Sequence, residues 1–466
     1  MKKKIIALGF SALMVVSSCD VLELNPVTQI DTDQAIINVS TAQGAVNGLY
    51  NNLQGVYDWH VQVLSDVASD VSQQIDTWDA LINIDEFSQT PDNSEVSDLY
   101  TVLYRCSDIS NNIIAKVPGI EGAEATKNDL MGQAHFVRAL AYFELARFFG
   151  GIPGGYEEAG VVIKLTPSIG ISPSDYAPRT TLTETYQQVE SDLLTALNLL
   201  PETRTDNLQT KARPTKATAR ALLARYYLYQ KNWAQAESYA SLVISDTRFS
   251  LVVPFENIFR TKNTAESIFE LQYNNNDVSG LRNWYYPTSL SGRGGVALHD
   301  ATYLEMTADA NDARGKLTAK NSTTNTYYTT KWNTPGNIDN VSVIRMAEMY
   351  LIRAEARTEI GTNLTGAADD LNAVRTRAGI GNTTAATQDE LRTAILAERK
   401  LEFIGEGHRW FDLIRTGKAL TVLTNVKRSK GSQSSYALTD ARRQVFPFPN
   451  VEVLTNTNLL QNSAYR

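Results

Sequence analysis

The chain has 466 residues, of which 43% are hydrophobic and 20% charged, an ordinary balance for a globular protein with a sizeable core. A net charge of −8, with no Lys/Arg-rich run beyond the first residues, argues against a nucleic-acid partner. The chain has two cysteines, and Cys19 is expected to carry lipid, so no intrachain disulfide is expected.

Residues 1–18 carry Lys2, Lys3 and Lys4, an apolar run over 5–16, then Ser17 and Ser18 before Cys19. This is the pattern of a secretory signal peptide. The apolar run is too short for a membrane-spanning helix, which needs about twenty residues. Small residues before Cys19 resemble a lipobox, which predicts cleavage before Cys19 and acylation of its thiol. Each lipid methylene buried in a bilayer then contributes about 0.8 kcal/mol of affinity. Residues 19–40 are polar and contain Pro26, and read as a lipid-anchored tether.

Helices are predicted over 41–53 and 94–117, the second with Leu99, Val102, Leu103, Cys106, Ile109 and Ile113 in one stripe. Cys106 is read as a buried helix residue. The segment 57–91 between them has only weak periodicity. A strong helix is expected over 125–149, stopped by Gly150, Gly151 and Pro153. Further helices are expected over 182–200, 215–230 and 233–245. The run RALLARYYLYQKNWAQAESYASLVI is similar to a tetratricopeptide unit, with Ala221, Ala224, Ala236 and Ala240 allowing close approach and Trp233 with Tyr227 filling the groove. Another such pair is expected at 346–359 with 367–377. The predicted fold class is therefore mainly α, a tetratricopeptide-like solenoid of helical hairpins. It is interrupted by a loop-rich segment, 249–339, with strand-like runs at 267–273 and 325–332. Loops carried on such a frame are where binding residues sit.

The densest mixture of charge and apolar bulk is AERKLEFIGEGHRWFDLIRTG, 397–417. Arg399, Glu402, Glu406, His408, Arg409, Asp412 and Arg415 alternate there with Phe403, Trp410, Phe411 and Leu413. Buried charges must be paired, so this run reads as a salt-bridge knot joining two helices. The catalytic alternative makes Glu402 and Glu406 an acid/base pair, or makes them metal ligands with His408. No other enzyme signature is present. The four histidines (His60, His135, His299, His408) are widely separated, with no HExxH, no Cys/His cluster, no phosphate loop and no GxSxG elbow. Asp309, Asn311 and Asp312 do not match an EF-hand loop and read as a solvated turn. No cofactor and no metal are expected.

Sugar binding calls for exposed aromatic faces flanked by amides and carboxylates. Two stretches offer this. In SDVSQQIDTWDALIN, 69–83, Trp78 lies among Asp76, Asp79 and Asn83. In LRNWYYP, 281–287, Arg282 and Asn283 precede Trp284, Tyr285 and Tyr286, and the Gly-rich loop SLSGRGG follows. Three consecutive rings on a loop cannot all enter one core, so at least one is predicted to face solvent. Trp59 reads as core, and Trp332 as structural.

The run LAERKLEFIGEGHRWFDLIRTG resembles the C-terminal signature of the SusD/RagB family, the nutrient-binding outer-membrane lipoproteins of Bacteroidetes. IRMAEMYLIRAEA (344–356), AADDLNAVRTRAG (367–379), VFPFPNVEVLTNTNLLQN (445–462), QAHFVRALAYFELARFFGGIP and the CDVLELNP start match in the same order. The resemblance implies one SusD-like domain over 41–466, with ligand-facing segments near 57–91 and 249–339. It also implies a place on the cell surface, where the acidic Asp20 and Glu23 resemble an export signal. The implied role is non-catalytic capture of an oligosaccharide or polysaccharide, with delivery to a SusC-like TonB-dependent transporter. Peptide cargo, as in the RagB branch, and a glycoside hydrolase on a helical frame are the alternatives.

Overall fold

The computed structural model describes residues 35–168, 176–427 and 435–466. The leader, Cys19 and most of the tether lie outside them. The first long helix, Val39–Tyr57, starts two residues before the apolar pattern suggests because a capping box sets its end. The Asn38 side chain accepts from the Thr41 amide at 3.0 Å, and Thr41 Oγ1 accepts from the Asn38 amide at 3.1 Å.

The molecule is mainly helical, as the periodicity predicts. Helices Ser94–Lys116, Glu124–Leu145, Leu182–Leu199, Lys216–Tyr229, Trp233–Ile244, Met346–Ile360 and Leu364–Ala378 pack each on the next, and Gln388–Glu402 closes against the last pairs. Ala221, Ala224, Ala236 and Ala240 are all buried, so the backbones of one hairpin approach closely. Tyr227 stacks on Tyr239, with centroids 5.6 Å apart, while Trp233 stays half-buried. Cys106 is buried and takes a hydrogen bond from Asn52, and burial pushes its thiol up to about 12.

The segment 57–91 is more regular than its sequence suggests. It holds the helix His60–Val67, of which every residue but the first is buried, the strand Ser72–Gln74 (β1) and the helix Asp79–Asp85. Val61 to Val67 are enclosed on all sides, so apolar periodicity carries no face signal there. The loop-rich segment contributes Ser267–Leu271 (β2), Val296–Leu298 (β3), Thr318–Asn321 (β4) and Thr326–Thr329 (β5). Val341–Arg345 (β6) pairs antiparallel with β2, and the other four form one antiparallel sheet in the order β1–β3–β5–β4. In register, Ser72 faces Leu298, Gln73 faces Ala297 and Gln74 faces Val296.

The charged C-terminal run is buried and densely ion-paired. Arg345 is 2% exposed and donates to Glu406 at 2.6 Å, Glu402 at 2.6 Å and Glu266 at 2.9 Å. Arg377 bridges the same Glu266 and Glu402, and Lys331 reaches Glu406 at 2.6 Å. Arg399 and Arg415 share Asp412, each at 2.8 Å, and Arg415 continues to Glu355. Between the two helices Gly405 adopts φ +80°, and its amide donates to Asp66 at 2.6 Å. A Cβ there would lie 2.8 Å from the Trp332 ring. Burial alone would raise Glu402, but Arg377, Arg345 and Arg314 outweigh it and hold the carboxyl well below its usual range. Glu406 is shifted the same way by Arg345 and Lys331 against its own burial. Both carboxylates are engaged by buried cations, the pairing a salt-bridge knot requires. His408 stacks on Phe403 at 4.4 Å, and burial first, then the surrounding arginines, keep it neutral.

Candidate glycan-binding ledge

Pairing of β1 with β3 decides the site. The pairing continues past the strand end, where the Ile75 amide donates to the Gly295 carbonyl at 2.8 Å. Residues 75–78 therefore emerge beside the loop that precedes β3. There Trp78 and Trp284 meet edge to face, with centroids 6.3 Å apart and planes at 88°. Trp59 packs on Trp284 at 4.7 Å, completing a row of three indoles drawn from two distant stretches.

Arg293 is the polar centre of this row. Its guanidinium lies 4.2 Å from the Trp78 centroid and 4.5 Å from that of Trp284, and it donates to Asp76 Oδ2 at 2.5 Å. Cation–π contacts of this kind contribute about 0.5–2 kcal/mol each, more as water is excluded. Gly295 permits the closure: a Cβ there would lie 2.7 Å from Asp76 Oδ2 and 3.0 Å from the Trp284 ring. Trp78 remains 39% exposed, among the exposed large apolar side chains, and its Nε1 donates to Glu95 at 2.9 Å. That bond fixes the ring plane. One face of Trp78 thus carries Arg293, while its edge is tied to a buried carboxylate.

The residues proposed from sequence divide sharply. Trp78 and Asp76 sit on this ledge, Asp76 also holding the Trp78 amide at 2.9 Å and taking a bond from Gln74. Trp284 supports the ledge from beneath, being only 5% exposed. Tyr285 and Tyr286 are buried as well, so the expectation of at least one solvent-facing ring in this trio fails. The reason is local structure. Leu281–Tyr285 is a short helix, not an open loop, and its rings enter different pockets. Tyr285 stacks on the buried Trp332 at 6.2 Å and donates to Asp66 at 3.3 Å, whereas Tyr286 packs edge to face on Tyr328 at 5.2 Å. Arg282 is buried too, stapling the following loop through the Leu290 carbonyl at 2.7 Å. Asn283 serves the same loop with its backbone carbonyl, which accepts from the Arg293 amide at 2.6 Å. Asn83 closes the end of its helix against Ser88 and makes no contact in the indole row.

Two members were missed. Arg293 was in view as the single charge of SLSGRGG, beside three aromatics. Trp59, read as core, is half-buried and belongs to the row. The solvated turn expected at Asp309, Asn311 and Asp312 is only partly found: exposed Asp309 accepts from the Asn311 amide, but Asp312 is buried, because it pairs with the buried Arg314.

Comparison with known proteins accounts for the architecture. Residues 245–465 match the family model described as the SusD family, and residues 21–228 match one described as starch-binding and associating with the outer membrane. The chain belongs to the SusD/RagB family. It is 28% identical over 509 aligned positions to SusD-like protein P2 of Formosa agariphila, covering 97% of both chains. A SusD superfamily protein of Bacteroides vulgatus superposes with a TM-score of 0.78 at 26% identity, covering 92% of this chain and 100% of the other. The surface glycan-binding protein A of Bacteroides thetaiotaomicron, solved in complex with laminarihexaose, superposes with a TM-score of 0.75 at 22% identity, over 91% and 99% of the two chains. At that identity the likeness is one of fold.

Proposed function

We propose that this SusD/RagB protein is lipid-anchored through Cys19 at the cell surface, captures an oligosaccharide or polysaccharide on the Trp78 ledge, and passes it to a SusC-like TonB-dependent transporter. The observation that supports this most is the Trp78 ring, exposed yet held rigid by Glu95 and Arg293. A rigid indole offers an apolar platform to the C–H face of a sugar ring without losing side-chain entropy on binding. Asp76 and Arg293 supply an acceptor and donors for the hydroxyls at the ring's edge. Trp59 and Trp284 hold the platform flat and keep the guanidinium oriented. Binding proceeds without bond breaking in this reading, because the acidic pair of the C-terminal run is consumed by arginines.

The test is native affinity electrophoresis and calorimetry against starch, β-glucan, fructan, chitin, mannan, xylan and pectin. Laminarihexaose, bound by a fold neighbour, joins the panel. Retardation by one glycan, with affinity reduced at least tenfold in Trp78→Ala and in Arg293→Ala, is the expected result. A folded protein retarded by no glycan overturns the reading and moves the search to peptides.

A further inference from the structure

Beneath the ledge three potential ligands converge that no motif in the sequence announces. His60 opens the helix His60–Val67, and Glu95 and Asp98 lie one turn apart near the start of Ser94–Lys116. A ring nitrogen of His60 and one oxygen from each carboxylate all fall within 4.8 Å of one another. His60 Nε2 stands 3.6 Å from Glu95 Oε2. That is too long for a hydrogen bond, and it is close to the separation of two ligands that each lie about 2.0–2.1 Å from one tetrahedral cation.

The surroundings prepare this arrangement. His60 Nδ1 lies 3.1 Å from the Gly55 carbonyl and 3.2 Å from Asp58 Oδ1. Both are acceptors, so Nδ1 carries a proton; burial opposes a charged ring, but the contacts with Asp58 and Glu95 outweigh it and raise the imidazole to about 9, so a cation at Nε2 displaces a proton held against Glu95. Metal-bound histidines use the same outer hydrogen bond to fix tautomer and ring plane. Trp59 lies flat on the imidazole at 3.9 Å and restricts its rotation. Glu95 is 4% exposed, its Oε1 is occupied by Trp78 Nε1, and its Oε2 faces His60 Nε2, where a cation would lie between them. Asp98 is exposed and opens the site to solvent.

We propose that His60, Glu95 and Asp98 form a site for a divalent transition metal of the zinc class, with at least one coordination position left to water. One imidazole and two carboxylates suit zinc; calcium would need six to eight oxygens, and no thiolate is present to favour copper(I). The three ligands come from two helices, while Trp59 and Trp78 of the ledge support His60 and Glu95.

The experiment is calorimetric titration of tag-free, EDTA-treated protein with zinc chloride, with calcium chloride in parallel and thermal unfolding as a second readout. One zinc per chain is expected, with a raised Tm, and calcium should give neither. His60→Gln should lose the site, and Asp98→Asn should weaken it at least tenfold. Asp98 is exposed, so that variant keeps its fold even if His60→Gln does not. Absence of saturable zinc binding, or binding of unchanged affinity in a folded form of either variant, overturns the proposal.

Discussion

Two arginines show how one residue type serves two ends. Arg345 is 2% exposed and divides its donors among Glu266, Glu402 and Glu406. The Arg293 side chain is 31% exposed and has one carboxylate, Asp76, between two indoles. In the first case burial demands that every charge be matched, so nothing remains to offer a ligand. In the second, water still reaches the guanidinium, and donors are left to exchange water for hydroxyls. Buried ion pairing marks the frame at Arg345, and partial exposure on a rigid support marks the surface that can bind at Arg293.

The largest effect expected from breaking this contrast is in the knot. Glu402→Gln leaves Arg345 and Arg377 short of a buried carboxylate and should destabilise the fold by about 3–5 kcal/mol, read as a shifted urea midpoint. Acid attacks the same kind of pairing. Burial opposes ionisation of Asp70, yet Arg409 and Lys400 outweigh it and hold the carboxyl at about 2 in place of 3.8. Asp412 and Glu402 are depressed by their arginines as well. Groups depressed in the folded state contribute stability that is complete above about pH 4.5 and is lost as pH falls through their folded values. Asp70 alone accounts for roughly 2 kcal/mol of this, and Tm measured from pH 6 to pH 2.5 should drop steeply below pH 4. Asp66 runs the other way: burial lifts it to about 7, so its contribution declines as pH rises from 3.8 towards 7.

On the ledge the expected pattern reverses. Trp78→Ala should cost at least tenfold in glycan affinity, about 1.4 kcal/mol, while Tm moves little, because the ring is exposed and its support lies in Glu95. Equal losses of stability and affinity would erase the distinction between frame and ledge. Tyr285→Phe gives the smallest effect, about 1 kcal/mol of stability for its bond to Asp66, with glycan affinity unchanged. A loss of affinity in that variant would return the buried trio to the binding surface.

Much of this was readable in local pattern. The long helices follow from apolar spacing, and the mixture of charge with large apolar groups in 397–417 announced a buried network. The loop-borne reading of 281–287 failed because five residues suffice for a helical turn that sends Trp284 and Tyr285 inward. Trp59 was missed because a half-buried indole and a core indole look alike in sequence.

By itself the sequence determined the helical frame, the hairpin repeats and the family, because each is written in neighbouring residues. Only the tertiary structure decided which aromatics reach water and which charges stand beside them. Asp76 and Arg293 are 217 positions apart and meet through the antiparallel pairing of β1 with β3. The register of that ladder is set by backbone hydrogen bonds and the burial of one face, terms that no local window contains.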